Sequence, residues 1–158
     1  VRRLEIQLRP YQEEAIDAFF AALPKHRRQL ITLPTGAGKT VVFGTLAKRY
    51  YDTVSSGKPI LVMAHRTELL EQAEAKLRMV WPDVLTGRVQ AERNEQLAQV
   101  ILASTQTLVA GRSIREPGLI IYDECHHSRA EGALRVLEQF VIKKNKVSNQ
   151  RIKSVTRE

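Results

Sequence analysis

The sequence predicts an α/β domain in which helices cover both faces of a parallel sheet. Two observations carry that prediction. Short apolar runs at 29–33, 59–64, 99–104 and 119–123 alternate with longer helical stretches near 10–22, 38–51, 67–80 and 130–140. Such alternation is how parallel strands are joined and buried. The chain, at 158 residues, fits one domain with room for a sizeable core.

The first helix is expected to open at Pro10, because proline is favoured in a first turn, where its missing N–H costs nothing. Gln29-Leu30-Ile31-Thr32-Leu33 is apolar and partly β-branched, as a buried strand requires. The stretch from Lys39 to Tyr51 reads as a helix with Val42, Leu46 and Ala47 on one face. Ile60 to Met63 is strand-like, and Thr67 can cap the helix after it. Asp83 to Val89 is a further strand candidate. Val100 to Ala103 precedes the capping residue Ser104, and Gly118-Leu119-Ile120-Ile121-Tyr122 forms the last buried-strand candidate.

The densest chemistry lies at Leu33-Pro34-Thr35-Gly36-Ala37-Gly38-Lys39-Thr40, between a strand and a helix. Gly36 and Gly38 permit positive φ and close approach, so that successive amides can turn toward an anion. The helix N-terminus adds partial positive charge at the same point. Lys39 can neutralise β- and γ-phosphates, and the Thr40 hydroxyl can ligate magnesium. The general phosphate-loop pattern has glycine where this chain has Leu33, so the match rests on the strand–turn–helix setting.

A second site follows the last strand, 84 residues beyond Lys39, at Asp123-Glu124-Cys125-His126. Ligands of open parallel sheets bind beyond the carboxyl ends of strands. Asp123 is placed there to hold magnesium, which needs few carboxylates beside phosphate oxygens. Glu124 is placed to orient or deprotonate water, and His126 to sense the γ-phosphate. Cys125, His126 and His127 are too close in sequence to converge on one tetrahedral zinc, and no second cluster completes a set.

With these residues assembled, the chain resembles the first RecA-like, ATP-binding domain of superfamily-2 DEAD/DEAH-box helicases and translocases. It looks most like the DExH branch that includes type III restriction subunits and XPB-like repair helicases. The resemblance covers about residues 4 to 140 and implies a RecA-like P-loop NTPase fold, use of ATP and Mg2+, and a nucleic-acid partner, with duplex DNA favoured by that branch. Leu8-Arg9-Pro10-Tyr11-Gln12 resembles the adenine-recognition segment, with Gln12 on the base edge and Arg9 beside the base. Ala64-His65-Arg66-Thr67-Glu68-Leu69 and Ser104-Thr105-Gln106-Thr107-Leu108 resemble segments that touch nucleic-acid backbone, with Arg66, Thr105 and Gln106 as the implied contacts.

The net charge of +8 is unevenly placed. Residues 141–158 hold +5, leaving +3 on the other 140, so the overall charge is a poorer argument for nucleic acid than those two segments. No apolar run approaches the ~18 residues of a membrane span, and no signal peptide is visible at the start. The single Cys125 excludes an internal disulfide and, with those features, predicts a reducing, cytoplasmic setting.

Past Phe140 the family pattern stops. Family members continue into another strand and a Ser/Thr-Ala-Thr coupling segment, whereas residues 141–158 are polar and basic and are expected to form a flexible tail or one edge element. The second RecA-like domain, source of the arginine finger, is expected to be absent, and Val1 in place of methionine fits a truncated product or an excised fragment. Two functions therefore stand: the ATP-binding motor domain of a DNA helicase or translocase, whose second lobe can arrive on another chain, or a lone lobe that binds nucleotide and nucleic acid weakly without turnover.

Overall fold

The computed structural model describes residues 7–26, 29, 31 and 38–122. Within them the order is α1 (Pro10–Ala22), α2 (Lys39–Thr53), β1 (Ile60–Ala64), α3 (Thr67–Val80), β2 (Thr86–Gln90), β3 (Arg93–Asn94), β4 (Val100–Ser104), α4 (Thr105–Val109) and β5 (Leu119–Tyr122). The strand expected at 29–33 falls largely outside the described residues, and the helix expected at 130–140 falls wholly outside them.

The sheet runs β3-β2-β4-β1-β5. The pairs β1–β4, β1–β5 and β2–β4 are parallel, as expected. The β2–β3 pair is antiparallel, so the sheet is mixed at that edge. A two-residue turn, Ala91-Glu92, joins those strands, and so short a connection can only reverse the chain. Gly87 permits the hairpin to close onto the residues after it: a Cβ there would meet the Glu95 carbonyl oxygen at 2.1 Å.

Alternation along the strands divides the core. Ile60, Val62, Ala64, Val100 and Leu102 face α1, α2 and α3, where they pack with Ile16, Leu46, Leu70 and Leu77. Leu61, Met63, Ile101 and Ala103 face the other way, onto Val89, Leu108 and Ile114. Every residue of β1 and β4 is buried, as central parallel strands demand.

Arg88 breaks the apolar pattern. It lies on β2 with a side chain 8% exposed and donates to Glu74 of α3 at 2.6 Å. Arg78 and Thr86 also donate to Glu74, each at 3.0 Å. Burial alone would raise the Glu74 carboxyl, but the hydrogen bonds from Arg78, Arg88 and Thr86, with the Arg88 charge, hold it below the usual carboxylate range.

Candidate nucleotide and nucleic-acid site

The start of α2 is shaped for an anion. Gly38 sits at its N-cap with φ +69, a left-handed conformation that glycine adopts without steric cost. Among the described residues no side chain caps this end, and no acidic residue lies in its first turn to offset the partial positive charge. Lys39 is the first helical residue and is exposed. A triphosphate fits such a terminus. Pro34, Thr35, Gly36 and Ala37 lie outside the described residues, as do Asp123, Glu124 and His126, and the side chain of Thr40 is not described.

Gln12 comes directly against that glycine. A Cβ on Gly38 would lie 2.6 Å from Gln12 Nε2. The Gln12 side chain is held by its own helix start, where Oε1 accepts from the Arg9 backbone N–H at 2.9 Å. Although polar, Gln12 is buried at 5% exposure. Arg9 is exposed and its Nη1 reaches the Tyr11 hydroxyl at 3.5 Å. The structure therefore joins the segment around Arg9 and Gln12 to the end of the phosphate loop, which sequence spacing alone does not reveal.

The carboxyl ends of the strands are level. Met63 is aligned with Ala103 on one side and Tyr122 on the other, and Ala103 is aligned in turn with Val89. Residues that follow these positions thus share one edge of the sheet. Arg66 stands at the N-cap position of α3 there, makes no side-chain capping bond and is exposed; Thr67, expected as the cap, is the first helical residue instead. Gln106 is exposed on α4. Thr105 is buried, at 6% exposure, and its hydroxyl has no hydrogen-bond partner among the described residues. Ser104 caps α4 by accepting from the Thr107 N–H at 3.3 Å.

A buried hydroxyl without a partner is destabilising. Thr105→Val keeps the branched shape and removes that oxygen, and is expected to raise stability by about 1 kcal/mol. Urea denaturation checks this; a loss of stability would show that the hydroxyl is paired in solution.

Among the described residues no group of three or more His, Cys, Asp or Glu side chains could hold a metal, and no helix is long and apolar enough to cross a membrane. Sequence reasoning missed one feature of this edge: Gln90, ending β2, donates from Nε2 to the Thr67 hydroxyl at the start of α3. The close of the strand expected at 83–89 was the available signal.

The family model for the res subunit of type III restriction enzymes matches residues 5–151. The Saccharomyces cerevisiae protein IRC3, provisionally named an ATP-dependent helicase, is 33% identical over 145 residues, which cover 84% of this chain and 21% of that one. The mouse (Mus musculus) ATP-dependent RNA helicase DHX58 is 31% identical, over 80% of this chain and 20% of its own. The chain thus spans about a fifth of the length of these relatives. Among solved structures, the UvsW helicase of bacteriophage T4 superposes with a TM-score of 0.68 at 22% identity, covering 85% of this chain and 49% of that one. The SWI2/SNF2 ATPase core of Sulfolobus solfataricus gives 0.65 at 18%, covering 78% and 27%. The family match over residues 5–151 and relatives above 30% identity show that this chain belongs to the type III restriction enzyme res-subunit family and has the RecA-like fold of the superfamily-2 helicases.

Proposed function

We propose that this chain binds Mg-ATP and couples its hydrolysis to contact with duplex DNA, as the first lobe of a helicase or translocase motor. The observation that carries the reading is the meeting of Gln12 with Gly38 at the uncapped start of α2. It brings an amide suited to an adenine edge beside a terminus suited to phosphate.

ATP would supply the γ-phosphoryl group that water attacks, with ADP as the leaving group, and Mg2+ would neutralise the charge on the phosphates. In this reading Thr35, Gly36, Ala37 and Gly38 would wrap the phosphates with backbone N–H groups, Pro34, which has no N–H, would fix the chain's entry into the loop, and Lys39 would add a full positive charge. Thr40 and Asp123 hold the magnesium. Glu124 takes a proton from the attacking water, and His126 links that site to the rest of the edge. Gln12 and Arg9 orient the base. Arg66 and Gln106 meet the nucleic-acid backbone, with Thr105 beneath them as part of the floor. A second RecA-like lobe, on the same protein or another chain, would complete the cleft. A cytoplasmic setting fits this work.

Duplex DNA is preferred because the family takes its name from restriction enzymes; the RNA-helicase relative makes RNA the competitor. The test is ATP hydrolysis by the purified chain alone, with duplex DNA and with RNA, beside Glu124→Gln. We expect turnover that is weak in the isolated chain, stimulated by DNA and abolished by the substitution. Stimulation by RNA alone would reverse the partner. Nucleotide binding with no turnover above the Glu124→Gln background would leave a binding lobe without catalysis.

A further inference from the structure

The β2–β3 hairpin is held in an unusual way. Two-residue hairpin turns favour glycine, asparagine or aspartate where φ is positive. Here Ala91 adopts φ +52, a conformation that an ordinary L-residue takes at a cost. A guanidinium secures it: Arg112 donates from Nη2 to the Ala91 carbonyl and from Nη1 to the Arg93 carbonyl at 3.3 Å. The Arg112 backbone N–H in turn donates to the carbonyl of Thr107. On the other side, the Gln90–Thr67 bond fastens the same hairpin to the start of α3, next to Arg66. The two segments read as backbone contacts are therefore bridged by a third element.

That element presents a charge. Arg93 is the ladder partner of Gln90, so both side chains leave the same face of the hairpin, the face bonded to Thr67. Its side chain is 58% exposed and is oriented by Glu95, which accepts from Nη2 at 2.6 Å. An exposed arginine in a hairpin of fixed shape, paired with the Gln90 that bonds Thr67, the residue after Arg66, suits a phosphate oxygen.

We infer that the β2–β3 hairpin is a third backbone contact, made by Arg93, and that Arg112 is the positioning residue that fixes its turn. The inference rests on the nucleic-acid reading above and adds to it a residue pair that no motif supplies.

The test measures affinity of the whole chain for a short fluorescein-labelled DNA duplex between about 50 and 200 mM salt. Arg93→Gln is expected to weaken binding about three- to tenfold and to reduce the slope of log affinity against log salt by about one. Arg112→Ala is expected to weaken binding by up to a similar factor, and to add little when Arg93 is already Gln, because its guanidinium touches carbonyls and acts through Arg93. Arg112→Lys keeps the charge but loses the fork, and should behave like Arg112→Ala if that variant fails to fold. Arg66→Gln separates the two readings. If it lowers affinity and slope while Arg93→Gln changes neither, the hairpin inference fails and the function stands. Unchanged affinity in both Arg112 variants, or an Arg112→Ala loss that persists in full when Arg93 is already Gln, overturns the positioning role. No binding by the unaltered chain overturns both readings.

Discussion

Replacing Gly38 with alanine is expected to cost the domain about 2 kcal/mol and to weaken nucleotide binding by roughly tenfold or more. Two effects combine. A side chain at φ +69 strains the backbone by about 1–2 kcal/mol. The new methyl would also lie 2.6 Å from Gln12 Nε2, and Gln12 is buried and tied to the Arg9 N–H, so it cannot swing aside without losing that bond. Any relaxation moves either the N-terminus of α2 or the Gln12 amide. Chemical denaturation and titration with a fluorescent ATP analogue read the two consequences separately. Adding Gln12→Ala to Gly38→Ala should return part of the stability, by removing the collision, and none of the affinity. Wild-type affinity in Gly38→Ala would show that the amides at this turn do not hold phosphate.

The second large effect lies away from the site. Glu74→Ala strands the Arg88 guanidinium in the interior, and breaking a buried pair in this way costs about 3–5 kcal/mol. At about 2–4 °C per kcal/mol for a domain of this size, the melting temperature should fall by roughly 6–20 °C. Replacing both partners, Glu74→Leu with Arg88→Met, should be close to neutral, because the desolvation penalty leaves with the charges. The pH dependence has a definite sign. The folded Glu74 carboxyl is held below its unfolded value of about 4.3, so its contribution is fully present above that value and is lost as pH falls through the lower, folded one. The stability gap between wild type and Glu74→Ala should therefore hold steady from pH 7 to about 5 and narrow below about pH 4. A gap that widens in acid would contradict the pairing.

These two sites also show what a sequence exposes. The expected helices at 10–22 and 67–80 match α1 and α3, and the apolar runs at 59–64, 99–104 and 119–123 match β1, β4 and β5 to within a residue. Burial drives these elements, and burial writes itself as apolar periodicity. The β2–β3 hairpin was illegible beyond its first strand. Arg93–Asn94 is too short and too polar to show alternation, and Ala91-Glu92 carries none of the usual turn residues. The five-residue α4 is shorter than two helical turns, so only the Ser104 cap announced it. Arg88 was hidden for another reason: a charge in a strand normally faces water, and its partner Glu74 is 14 residues away on a different element. At the site, the Gly36–Gly38–Lys39 spacing pointed to a phosphate loop, while burial of Thr105 could be learned only from the packing at the end of β4.

The level strand ends have a mechanical consequence. Hydrogen-bonded ladders tie β2, β4, β1 and β5 into one plate, with Val89, Ala103, Met63 and Tyr122 on a single line across it. Everything mounted just beyond that line moves as a unit, since raising one mount relative to the next requires slipping a register by a whole residue. Arg66 and Gln106 are therefore mounted on the same plate as the strand that leads into Asp123.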